Sequence, residues 1–174
     1  MTAFLLDVAK ISVPGILVLI AAYYVMRDLL KNQERNRYYE LKKETAKSLN
    51  PIRLTAYERI ALFLERIQPD SMIIRVQQNS MKAKDLHLAL LTTVREEFEH
   101  NVTQQIYVSN DVWIVTKNAK ESVIQLINTC ANVIPDELPA IELAKLIIEK
   151  YGELENSPVD IALNMLKNEV KSFY

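Results

Sequence analysis

The pattern of apolar and polar positions changes character twice along the chain. Residues 11–26 read ISVPGILVLIAAYYVM, with no charge on any side, bounded by Lys10 and Arg27. Residues 27–47 read RDLLKNQERNRYYELKKETAK, mostly charged and polar and free of proline and glycine. From Pro51 onward, apolar residues return at steps of three and four with charged residues between them, which is the spacing of a helix with one buried face. The pattern predicts an all-α protein in three parts. These are a short N-terminus and transmembrane helix (1–26), a juxtamembrane helical stalk (27–50) and a helical domain of about five helices (51–174).

Roughly 20 apolar residues are needed to cross a ~30 Å hydrocarbon layer, so the uncharged run is short. Lys10 extends it by snorkelling, and Phe4, Leu5, Leu6, Val8 and Ala9 continue its apolar character upstream, interrupted only by Asp7. Tyr23 and Tyr24 stand where an aromatic belt meets the head groups. Two other readings compete. A cleavable signal peptide opens with positive charge and closes on small residues, whereas this segment opens with Asp7 and closes on Ala21-Ala22-Tyr23-Tyr24. A buried helix of a soluble domain fits the short run, but Pro14-Gly15 is awkward inside such a helix and tolerated in a membrane span. Beyond the run stand Arg27, Lys31, Arg35, Arg37, Lys42, Lys43 and Lys47, against Lys10 and the α-amino group before it. Positive-inside counting puts the N-terminus outside and the C-terminal body in the cytoplasm. The glycosylation pattern Asn101-Val102-Thr103 then carries no information.

In the stalk, acids and bases alternate at helical spacing (Asp28/Lys31, Glu40/Lys43, Glu44/Lys47). The basic residues suit an anionic lipid surface, but the interleaved acids favour a solvated helix. The apolar residues are too few for a coiled-coil seam. Pro51 predicts a helix break at 48–51, and Thr55 with Glu58 three residues on predicts a capping box that starts the next helix. That helix presents Tyr57, Ile60, Ala61, Leu64 and Ile67 on one face and ends at Gln68-Pro69-Asp70. Residues 71–80 leave a strand, a helical turn and a loop open. Further helices are expected over about 84–106, 110–133 and 139–151. A last helix has Ser157 as N-cap, Pro158 at its first position and Asp160 in its first turn. Gly152 is placed at C′ of the preceding helix, and the short connection of residues 153–156 predicts an antiparallel pair.

Composition narrows the chemistry. Two glycines, Gly15 and Gly152, cannot build a phosphate-cradling loop or a turn-rich β architecture. A single cysteine, Cys130, excludes an intrachain disulfide. Lys+Arg of 21 against Asp+Glu of 22 leaves no overall field for nucleic acid, so no nucleic-acid partner is expected. His87 and His100 lie thirteen residues apart, on nearly opposite faces of one predicted helix. Glu97-Phe98-Glu99-His100 contains the Glu-x-x-His spacing of di-iron bundles but lacks the second such pair, since Lys84 stands at the matching offset before His87. Glu97 is read as part of a solvated face, with a metal site and a polar contact to another helix as the alternatives. Cys130 shares an apolar stripe with Ile127 and Ile134 and is read as core, as is Trp113 beside Val112, Ile114 and Val115. Trp113, Tyr107 and Tyr57 offer the alternative of an aromatic contact surface. The adjacent acids Glu96-Glu97 and Asp136-Glu137 are read as exposed charge. The sequence assigns no catalytic, cofactor-binding or metal-ligating residue.

The stretches PIRLTAYERIALFLERIQPDSMI (51–73) and REEFEHNVTQQIYVS (95–109) resemble an uncharacterised bacterial family of short, single-span membrane proteins. The resemblance covers most of the chain, implies a bacterial inner-membrane setting, and lends no activity, cofactor, partner or functional residue. The reading that results is a membrane-anchored scaffold whose cytoplasmic domain binds another protein or itself. The alternatives are a helical ligand-binding or enzymatic domain and an accessory subunit of a larger membrane complex. A deep polar pocket at Glu97 and His100 favours a ligand site; an exposed apolar groove favours the scaffold.

Overall fold

The fold, taken from a computed structural model, is described for residues 2–172; the side chains of residues 2–16, 21, 41–43 and 45–49 lie outside the description. Among the described residues the chain runs through α1 (Thr2–Ile67), α2 (Pro69–Val76), α3 (Ala83–Glu99), a 3-10 turn (Val102–Ile106), α4 (Asn110–Ala131), α5 (Ala140–Gly152) and α6 (Pro158–Lys171). No strand occurs among them; the one extended pairing is an isolated antiparallel bridge between Lys82 and Pro139. The chain divides into two compact units, Met1–Leu49 and Asn50–Tyr174.

The first unit is helical along its described length. Leu17, Val18, Leu19 and Ile20 are all exposed, as are Tyr23, Tyr24, Val25 and Met26. Because consecutive helical positions are about 100° apart, this apolar surface faces every direction. Among the described residues, however, no helix is long and apolar enough to cross a membrane. The span predicted over 11–26 therefore finds no support there. The side chains of residues 11–16 and of Lys10, Ala21, Leu41, Lys42, Lys43 and Lys47, on which parts of that expectation rest, lie outside the description.

The break expected at 48–51 does not occur, and Pro51 lies inside α1. An interior proline loses one backbone hydrogen bond and crowds the carbonyl four residues back. Thr55 consequently caps nothing. Its hydroxyl donates to the Pro51 carbonyl at 3.1 Å, one turn back in the same helix.

In the second unit, Ala56, Tyr57, Ile60, Phe63, Leu64 and Ile67 of α1 enter the core. Ala61 packs at its edge. Helix α4 is central, with α3, α5 and α6 against it, while α2 bridges α3 and α5. The open stretch 71–80 is helix as far as Val76 and coil and turn beyond it: Pro69 starts α2, and Met72 and Ile73 are buried. The single helix expected over 84–106 stops at Glu99, and a 3-10 turn takes over at Val102. Helix α6 packs on α4, and its contact with α5 is at most marginal, so the expected α5–α6 pair does not form. Gly152 is the last residue of α5 rather than C′ and does not adopt positive φ. The N-cap at Ser157 forms as expected, its Oγ accepting from the Asp160 amide at 3.0 Å.

Candidate functional site

Two features of the second unit come from α1 and α6 together. Leu54, Tyr57, Glu58 and Ala61 recur at helical spacing on one face of α1; Leu166, Lys167, Val170 and Lys171 do the same on α6. Between them lies an open groove of about 350 Å³ whose exposed lining is apolar. Leu166 and Tyr57 are anchored in the core, Ala61 and Val170 are half-buried, and Leu54 is exposed. Glu58 stands on one lip, and Lys167 and Lys171 on the other.

A polar clasp fixes one end of the groove floor. The Tyr57 hydroxyl donates to Glu169 Oε1 at 2.8 Å and accepts from Arg53 Nη2 at 3.2 Å. Arg53 Nε also donates to the Tyr107 carbonyl at 3.2 Å. Glu169 Oε1 accepts from the Ser109 amide at 2.9 Å, and Glu169 Oε2 from the Ser109 hydroxyl. Ser109 is the N-cap of α4, so the carboxylate neutralises free amide charge at the start of that helix. Burial pushes the Glu169 carboxyl up, but the Ser109 hydroxyl and amide, the Tyr57 hydroxyl and the Arg53 charge outweigh it and hold it below its ordinary value. Burial raises the Tyr57 phenol, and Glu169 adds to that.

The residues singled out in the sequence fall into other roles. Glu97 is not a solvated face residue: Arg66 Nε lies 2.8 Å from its Oε1 and Arg75 Nη1 3.8 Å, so it ties α3 to α1 and α2. His100 is exposed and gives its carbonyl to Arg59 at 3.3 Å, while His87 Nε2 meets Asn128 Oδ1 at 2.8 Å. The two histidines are not brought together. No group of three or more metal-type ligands occurs among the described residues. Cys130 is buried, and burial pushes its thiol up, away from the thiolate that nucleophilic chemistry needs. Trp113 is core, stacked on Phe98 at 5.4 Å, and Phe98 meets Phe63 edge-on at 5.7 Å. Glu137 pairs with Lys82 beside the bridge that joins the starts of α3 and α5.

Sequence reasoning missed the clasp because Tyr57 and Glu169 are 112 positions apart. One part was within reach: Ser109 before Asn110-Asp111 is an N-cap pattern.

A family model described as a family of unknown function, DUF7935, matches residues 3–173. No curated protein and no solved structure matches the chain.

Proposed function

The chain belongs to the DUF7935 family, which is of unknown function, and from that premise we propose that it is a membrane-anchored interaction protein. Its N-terminal helix sits in a bacterial inner membrane, residues 27–50 form a stalk, and the helical domain that follows binds a protein on the cytoplasmic side. The observation that carries this reading is the apolar surface of residues 17–20 and 22–26, exposed on all sides of α1. A helix that is apolar all round is stable only when surrounded by protein or lipid. In the sequence the uncharged run begins further upstream, at Ile11. Arg27, Lys31, Arg35 and Arg37 following it support the cytoplasmic placement of the body. The bacterial setting rests on the family resemblance.

The open apolar groove between α1 and α6 supports protein binding over small-molecule chemistry, since ligand pockets enclose most of their ligand. The engagement of Glu97 by two arginines weighs against a free polar site there.

The test is alkaline extraction of bacterial membranes carrying the full chain, with a compartment reporter fused after Tyr174. The chain should stay with the membrane and the reporter should be active in the cytoplasm. Leu19→Lys with Ile20→Lys should release it, because each lysine at the centre of a span costs about 2.5–3.5 kcal/mol. A wild-type chain in the soluble fraction, or a reporter outside the cytoplasm, overturns the reading.

A further inference from the structure

We propose that the α1–α6 groove receives an acidic amphipathic helix of a partner protein, a proposal that rests on the interaction reading above and gives that partner its chemistry. The groove is a trough rather than a cavity, with Leu54, Tyr57, Ala61 and Val170 at its surface. An open trough between two helices is the shape that takes a third helix, whose apolar residues at i, i+3, i+4 and i+7 lie along the floor. A small molecule placed there stays largely in water. The floor is preset, because Tyr57 is held by Glu169 and Arg53 before anything docks, and a preformed surface loses little side-chain freedom on binding.

Charge selects the occupant. Lys167 and Lys171 lie one turn apart on the outer lip, both exposed. Among the described residues neither has an ion-pair partner. Two unpaired ammonium groups bordering an apolar floor favour carboxylates at i and i+4 on the flank of the docked helix and disfavour a basic one. The single acid on the opposite lip, Glu58, favours a base on the helix's other flank and so sets its direction.

The test places p-benzoylphenylalanine at position 58 of the full chain, in cells, and sequences the peptide attached after irradiation. The expected product is another protein, joined within a helical segment whose apolar stripe is flanked by acids. Lys167→Glu with Lys171→Glu should lower the adduct on the order of tenfold. Both residues are exposed, so the fold is kept; a thermal melt of the purified variant checks this. Ala61→Arg, which fills the floor, should abolish the adduct. Attachment to a second copy of this chain, to lipid or to a segment without acids overturns the proposal, as does no adduct or an adduct indifferent to charge reversal. Fractionating the same cells separates the two readings. A membrane-bound chain without the adduct defeats the groove proposal alone, whereas a soluble chain with it defeats only the anchor.

Discussion

Glu169 accepts from two groups on Ser109 and from Tyr57, and this fixes the direction of its pH dependence. A carboxyl held below its ordinary value contributes stability above the unfolded pKa of about 4.3 and loses it as pH falls through the lower folded value. The raised Tyr57 phenol has the opposite sign. Its contribution is complete below about 10 and is lost as pH rises through the higher folded value. Thermal melts should therefore show a plateau between these limits. In Glu169→Gln the acid-side decline should become shallower, and the plateau should drop because three hydrogen bonds lose their charged acceptor. An unchanged acid limb would mean that the clasp contributes nothing to stability. Apart from the N-cap pattern at Ser109, this network was not readable beforehand, since Tyr57 looks like any aromatic on a helical stripe and Glu169 like any exposed acid.

At the scale of elements, two positions behave opposite to their usual sequence meaning. Gly152 reads as a left-handed helix stop, where alanine would be strained. In the fold it is right-handed at the end of α5, and an added Cβ meets nothing within 4 Å. Gly152→Ala should stabilise by roughly 0.5–1 kcal/mol, mainly by reducing the freedom of the unfolded chain; destabilisation in a chemical melt would show that the turn needs glycine after all. Pro51 reads as a boundary, yet α1 continues through it. Pro51→Ala should restore a backbone hydrogen bond and add on the order of 1–3 kcal/mol to the local helix, seen as slower amide exchange around residues 47–55. Local rules identified both residues as punctuation, but packing of Ala56, Tyr57 and Ile60 into the core holds α1 helical immediately after the proline. Ser157 kept its usual meaning because its cap is a contact within four residues.

At the scale of the molecule, no described residue before Ala56 is buried. The double substitution Leu19→Lys and Ile20→Lys should thus detach the chain from membranes while leaving the melting temperature of the domain within about a degree or two, since surface changes outside a core are usually within ±0.5 kcal/mol. Loss of both membrane attachment and the domain's melting transition would show that residues 17–20 serve the fold instead. The aromatic group Phe63, Phe98 and Trp113 joins α1, α3 and α4 in that core, with Lys120 over the Phe98 ring at 4.3 Å.

What the sequence alone determined is whatever depends on neighbours within a turn or two. Helical class, the buried stripe of α1, the N-cap at Ser157 and the core places of Trp113 and Cys130 all follow from spacing and local hydrogen bonding. The tertiary structure decided the rest: the clasp of Tyr57, Glu169 and Ser109, the pairing of Glu97 with Arg66 and Arg75, the partner of α6 and the groove it makes with α1. Those depend on which faces of distant helices meet. A periodic pattern says that a face is buried, and not against what, because hydrophobic burial is non-directional and any complementary face satisfies it.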